Sequence, residues 1–270
     1  MALLRKLISD QQRTVAHWGM ELVVVIAGVL IALWLQDWAE RRRAMQNMAA
    51  DQEAIHDEVR QNLFNLIWRD AISRCHVERA QMLKSMLLTG QSHWPGVTEN
   101  ALVQTSMSKA TGVESVIQGV YQRPFEEFST AAWTSALTTG ALAPMDRERF
   151  SQLVAIYNQI DFLNEIHKRE NDAASTLSAL AVPQELTADT RLRMFQALYE
   201  VDTARFMFAY QGTSVLAGAM KRIGWNDKAE IDRLIAEDEQ SESTRSAKWR
   251  PCVRKQLNPF AETANYAAAA

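Results

Sequence analysis

The stretch "GMELVVVIAGVLIALWLQDWAERRR", residues 19 to 43, constrains this chain more than any other. Leu22 to Leu35 is an uncharged run of 14 residues. Taken alone it is short for a bilayer span and would suit a buried helix or the apolar part of a signal peptide. The flanks change the reading. Trp18 stands on one side, Trp34 and Trp38 on the other. At 1.5 Å per residue Trp18 to Trp38 covers ~30 Å, the thickness of a hydrocarbon core. Aromatic residues at both ends are what membrane interfaces select. No Ala-x-Ala site follows the apolar run, so the segment is expected to stay uncleaved. The sequence predicts a transmembrane helix over 18–38, with Trp18, Trp34, Trp38, Arg41, Arg42 and Arg43 as interfacial anchors.

Such a helix has a distinct face. Glu21, Val24, Gly28, Ile31 or Ala32, and Leu35 recur at intervals of three and four residues and line one side. Gly28 and Ala32 form a small-xxx-small pair, which lets a second helix approach closely. Glu21 is costly against lipid and finds either a partner or the interface. An ordinary anchor with a snorkelling glutamate is the alternative. Ahead of the span, Leu3, Leu4, Leu7, Ile8 and Val15 lie at helical spacing beside Arg5, Lys6 and Arg13, so residues 1–17 read as an interfacial amphipathic leader.

Beyond the span the chain reads as all-α. Gly 10 and Pro 6 in 270 residues leave helix interiors seldom broken. Residues 39–240 are expected to form an antiparallel bundle of about four helices. Its first helix continues the span, carrying Met48, Ile55, Val59, Leu63, Leu66 or Ile67, Met82 and Met86 at helical spacing and ending near Gly90, Pro95 and Gly96. Residues 98–112 read as a short helix and 113–123 as extended. A helix follows Pro124, with Phe125, Phe128, Ala132 and Ala136 on one side and Gly140 as its stop. The next carries Phe150, Leu153, Val154, Tyr157, Ile160 and Leu163 or Asn164. The last runs from about Ala188 to Arg222, with Leu192, Phe195, Leu198, Tyr199, Phe206 and Ala209 as its stripe and Gly212 as a possible break.

Asp227 to Glu242 carries seven acids against two bases and reads as a polar tail that would normally be disordered. Residues 241–270 read as a basic extended tail whose Arg245, Lys248, Trp249, Arg250, Arg254 and Lys255 suit anionic lipid, an acidic partner surface or an intramolecular strap over Asp227 to Glu242. Cys75 and Cys252 are too few for a thiolate zinc site and stay open between buried thiols and one bridge.

A net charge of -3 supplies no global field for nucleic acid. The sharpest catalytic candidate is "EAIH", Glu53 to His56, half of a di-iron carboxylate site. With five histidines the chain offers no second Glu-x-x-His, and "EIH" at Glu165 to His167 has the wrong spacing. A solvated helix face is the reading for Glu53 and His56. HExxH, GxSxG, P-loop and dinucleotide fingerprints are absent, and no CxxCH marks haem attachment. No catalytic, cofactor-binding or metal residues are assigned, no cofactor is expected, and any small-molecule ligand is unidentified.

"MELVVVIAGVLIALWLQDWAERR" resembles the N-terminal signature of a family of uncharacterised bacterial single-span membrane proteins, roughly G-E-I, an apolar run, G-I-L-I-A-L, then N-x-W-x-E-x-R. Glu21, Gly28, Leu30, Ile31, Ala32, Leu33, Trp38, Glu40 and Arg41 fall in place. Met20 is inserted between Gly19 and Glu21, and Gln36-Asp37 stands where asparagines are usual. "FSTAAWTSALTTGALAPMDRERFSQLVAIYNQID" is similar to the extramembrane core of proteobacterial relatives. Together the two segments cover about a quarter of the chain. The resemblance implies a membrane-anchored helical domain and carries no catalytic residues.

The basic residues on the two sides of the span balance, but a short basic leader is costly to move against the potential. The N-terminus is therefore expected in the cytoplasm and the bulk of the chain in the periplasm of a bacterial inner membrane. Two functions compete. One is a non-catalytic accessory, assembly or stabilising subunit of a larger respiratory or photosynthetic inner-membrane complex, whose partners are other integral membrane subunits and the lipid bilayer. The other is a free-standing single-span sensor or small-ligand-binding protein.

Overall fold

Helix α1 runs from Ala2 to Ala71, 70 residues without an internal proline, so the expected continuation of the apolar segment into a long helix is what the backbone shows. The computed structural model describes residues 2–71, 73–96, 102–107, 114–119, 121, 127–242 and 256–261, with side chains over 25–71, 76–96, 121, 127–240 and 256–261. Among the described residues the fold is all-α apart from two small antiparallel ribbons. Two compact units divide the chain, residues 1–52 with 136–144, and residues 53–135 with 145–270.

The first unit consists of the N-terminal part of α1 and the segment 136–144. That segment contains the end of α3 (Ala131–Thr139) and its cap. Gly140 sits at φ +70. Its N–H donates to Leu137 O, and the Ala141 N–H to Ala136 O. This pair of bonds is the Schellman closure that only a residue free of a Cβ adopts without strain. Gly140 thus ends its helix as the sequence predicts.

The second unit holds the core. From α1 it takes Ile55, Val59, Leu63, Leu66 and Ile67, each at most 2% exposed and spaced to face one way. Helix α2 (Ser73–Leu88) buries Ala80, Leu83 and Leu87, whereas the expected Met82 lies at its surface and Met86 is only partly covered. Asp146 caps α4 (Arg147–Leu177) by accepting from the Glu148 and Arg149 N–H groups. That helix buries Leu153, Ile156, Tyr157, Ile160, Leu163 and Ile166, close to the expected stripe. Helix α5 (Ala188–Met207) is capped by Thr187 and packs most extensively on α4.

The structure corrects the sequence reading at several places. Leu102–Met107, expected within a helix, is strand β2, paired antiparallel with β3 (Glu114–Gly119). Val103, Thr105, Val116 and Ile117 are β-branched, and cross-strand pairing outweighs the weak helical signal. A two-residue strand β1 (His93–Trp94) pairs with β4 (Gln184–Glu185). Of the region expected to be helical after Pro124, helix α3 covers Ala131–Thr139, and residues 127–130 ahead of it are not helical, the Phe128 and Ser129 backbones being bound instead by side-chain amides described below.

On α5 the buried residues are Met194, Ala197, Leu198, Val201 and Ala204, while Leu192, Tyr199 and Phe206 are exposed. The inner face places Met194, Ala197, Leu198 and Val201 in one core cluster with Ala173, Ala174 and Leu177 of α4. Gly212 does not break the helix. Phe208–Val215 forms a π-helix that leads directly into α6 (Leu216–Arg222). A Cβ on Gly212 would lie 2.6 Å from Leu66 Cδ2, so a side chain there would require the buried Leu66 side chain to shift. The acidic segment after Asp227 is helix α7 (Lys228–Glu242), with Ile231 fully buried and Ile235 nearly so. Its acids mask a short apolar stripe in the sequence. Among the described residues no helix is long and apolar enough to cross a membrane. Of the expected span 18–38, only residues from Val25 onward have described side chains.

Candidate functional site

Every residue from Val25 to Trp38 is exposed. Val25, Leu30 and Trp34 keep 59%, 60% and 64% of their surface accessible. At 3.6 residues per turn, the large apolar side chains from Val25 to Trp38 cover roughly 280° of the helix circumference. Gly28 and Ala32 fall in the remaining sector. Nothing lies within 4 Å of where a Gly28 Cβ would be. A helix apolar nearly all round has no favourable arrangement in water on its own. Fully burying one large apolar side chain is worth ~1.5–3 kcal/mol. Nine such residues about half exposed therefore carry on the order of 10 kcal/mol of uncompensated exposure.

The C-terminal end of this segment becomes polar within one turn. Asp37 pairs with Arg41 at 2.6 Å, Gln36 donates to Glu40 at 2.9 Å, and the Arg42 guanidinium lies 5.5 Å from the Trp38 ring centroid. The structure thus places the expected anchors Trp34, Trp38, Arg41, Arg42 and Arg43 in consecutive turns. Of the predicted face, Gly28, Ala32 and Leu35 are exposed on α1. Trp18, Glu21 and Val24 lie on the same helical backbone but outside the described side chains. Arg245, Lys248, Trp249, Arg250, Arg254, Lys255 and Cys252 lie outside the described residues, as does the Cys75 side chain.

The second unit contains two polar networks that motif reasoning missed. In one, the Glu58 carboxylate accepts from Ser129 Oγ (2.6 Å), the Ala132 N–H (2.8 Å), the Trp133 N–H (3.4 Å) and the Tyr157 hydroxyl (2.7 Å). Asn62 exchanges two bonds with the Ser129 backbone, and Asn164 two with that of Phe128. Two side-chain amides thus replace a neighbouring strand, and a carboxylate fills the N-terminus of α3. Burial pushes the Glu58 carboxyl up, but its four hydrogen bonds outweigh this and hold it below the usual glutamate value. Trp133 stacks on Tyr157 at 4.7 Å, closing the lock from the apolar side.

In the other network Arg69 pairs with Glu170, both nearly fully buried, and donates to His167 Nδ1 at 3.3 Å. The Arg69 guanidinium also lies 3.9 Å from the Phe208 ring centroid at the start of the π-helix. His76 is pushed down to about 4, by burial first and by the Arg69 charge second. Burial raises the Tyr121 hydroxyl far above the normal range, and the Glu170 charge adds to it. The partly open space beside Arg69, His76, Tyr121 and Glu170 is about 20 Å³, enough for a single water. No family model, curated protein or solved structure matches the chain.

His56, expected on a solvated face, is instead half-buried. It bonds to Asp227 at 2.5 Å and stacks on Trp225 at 4.5 Å. Glu53 remains exposed. No group of three or more potential metal ligands occurs among the described residues. Both polar networks join residues far apart in the chain, so only the clustering of Asn, Glu and Arg on the inner face of a long helix could have signalled them.

Proposed function

We propose that this protein is a non-catalytic accessory, assembly or stabilising subunit of a bacterial inner-membrane complex, anchored by α1 and contacting other integral membrane subunits. The observation that carries this reading is the apolar circumference from Val25 to Trp38, exposed on every side. A bilayer satisfies such a surface, and the tryptophan and arginine residues at its end suit the headgroup level. The gap in large side chains at Gly28 and Ala32 supports packing against a neighbouring helix. Resemblance to single-span bacterial proteins supports the same anchor and a helical extramembrane domain. Exposed Tyr199, Phe206 and Tyr210 on the second unit add aromatic surface of the kind that subunit contacts use.

The test is extraction of the tagged full chain from its own membranes in mild detergent, followed by a native gel and mass spectrometry. Co-migration with integral membrane proteins in fixed stoichiometry supports the reading. Recovery as a lone monomer or dimer removes the accessory role. Release into the supernatant by alkaline carbonate removes the anchor itself.

A further inference from the structure

The sequence Gln256-Leu257-Asn258-Pro259-Phe260-Ala261 lies folded on α6 and α7. Asn258, Pro259 and Phe260 are buried, Phe260 to 6% exposure. The segment is organised from within. The Ala261 N–H donates to Asn258 O at 3.0 Å, closing a β-turn with Pro259 at its second position. The Phe260 N–H donates to Asn258 Oδ1 at 2.9 Å, an Asx turn superposed on the first. A proline and a side-chain bond therefore set the shape before any docking contact is made.

Helices α6 and α7 supply the hydrogen-bond partners described for the segment. Asn258 Nδ2 donates to Lys228 O at 2.9 Å and to Asp232 Oδ1 at 2.7 Å. Lys221 Nζ donates to Pro259 O at 3.2 Å and stands 5.4 Å from the Phe260 ring centroid. Gln256 Nε2 donates to Asp238 Oδ2 at 2.7 Å. Each polar group that reads the segment recognises one feature of it: a primary amide, a carbonyl after proline, an aromatic ring. This is how a short linear peptide is bound, with a pre-shaped turn and one buried aromatic anchor.

We infer that the α6–α7 surface is a receptor for a short peptide segment bearing Asn-Pro-aromatic, and that this chain fills it in cis with residues 256–261. The occupant in trans is a partner protein displaying that motif, and its access is governed by release of the chain's own copy. Because it belongs to the same chain, the cis copy competes intramolecularly, at an effective concentration on the order of millimolar. Free peptide with a dissociation constant of ~100 μM is therefore held off about tenfold while the cis copy is in place.

The experiment uses the full chain in mild detergent and the end-blocked, fluorescein-labelled peptide Gln-Leu-Asn-Pro-Phe-Ala, read by anisotropy. The double substitution Asn258→Ala/Phe260→Ala empties the site and is expected to bind the peptide about tenfold more tightly than the wild type. The peptide with alanine in place of its asparagine is expected to bind about tenfold more weakly, as is the normal peptide when Asp232→Asn is added to the double variant. No binding to a helical double variant at about 1 mM peptide overturns the inference, as does equal binding to both proteins. If the double variant does not fold, hydrogen exchange at the Phe260 and Ala261 amides of the wild-type chain decides. Opening at least ~100-fold more frequent than global unfolding supports a detachable segment, and opening only with global unfolding overturns it. Concentration-dependent dimers that dissociate on adding peptide support it too, with a second copy as the source of the motif.

Discussion

Removing the Glu58 carboxylate tests how much of the lock at the start of α3 rests on this side chain, beside the amides of Asn62 and Asn164. Glu58→Ala leaves the Tyr157 hydroxyl, on a side chain only 2% exposed, without its acceptor. It also uncaps the first N–H groups of α3 at Ala132 and Trp133. A stranded buried hydroxyl costs ~1–3 kcal/mol, and loss of a capping acceptor ~1 kcal/mol. The expected loss is about 3 kcal/mol, a large part of the ~5–15 kcal/mol that holds a domain together. Urea unfolding of the full chain in mild detergent, followed by circular dichroism, measures it. Glu58→Gln should lose less, since one oxygen still accepts while the amide meets a donor. Tyr157→Phe removes donor and demand together and should cost only ~1 kcal/mol. Combining it with Glu58→Ala should then cost less than the sum of the two. The carboxyl is depressed in the folded protein, so its contribution is complete above the unfolded value of ~4.3 and is lost as pH falls through the lower folded value. The gap between wild type and Glu58→Ala should accordingly narrow in acid. A Glu58→Ala protein within ~0.5 kcal/mol of wild type at neutral pH would falsify the lock.

Gly212→Ala should destabilise by ~1–3 kcal/mol by overpacking, since its Cβ would meet Leu66, and Leu66→Ala should recover part of that in a double-mutant cycle. His76 is held neutral down to about 4 in the fold, whereas the unfolded chain takes up its proton near ~6.5. Stability should therefore be complete above that unfolded value and fall by about 3 kcal/mol between it and the folded one; a His76→Gln protein with the same slope over that window would exclude the histidine as its cause. In the membrane, Gly28→Leu should weaken co-purification of partners about tenfold, while Val29→Leu, roughly 100° around the helix, should not. Equal yields from both variants would make the helix a plain anchor. A reporter active only after export, fused following Ala270, should be active, and fluorescence from a cytoplasm-restricted reporter there would reverse the orientation.

Local properties of the chain were enough for the helical class and for several boundaries. Scarcity of glycine and proline left α1 unbroken, and Gly140 closed α3 because a positive φ suits only its backbone. The apolar run after Glu21 was equally plain, and the exposure of Val25 to Trp38 follows from having no polar face to turn outward. Which face of α5 turns inward was decided by its packing on α4, whose Ala173, Ala174 and Leu177 share a core cluster with Ala197, Leu198 and Val201. Strand pairing decided 102–107, where propensity was nearly neutral. The partners of Glu58, Arg69 and His56 come from sequence distances of 71 to 171 residues, and no spacing rule spans such separations. Docking of 256–261 needed α6 and α7 side by side, because the turn at Asn258-Pro259 is local while the groups that read it are tertiary.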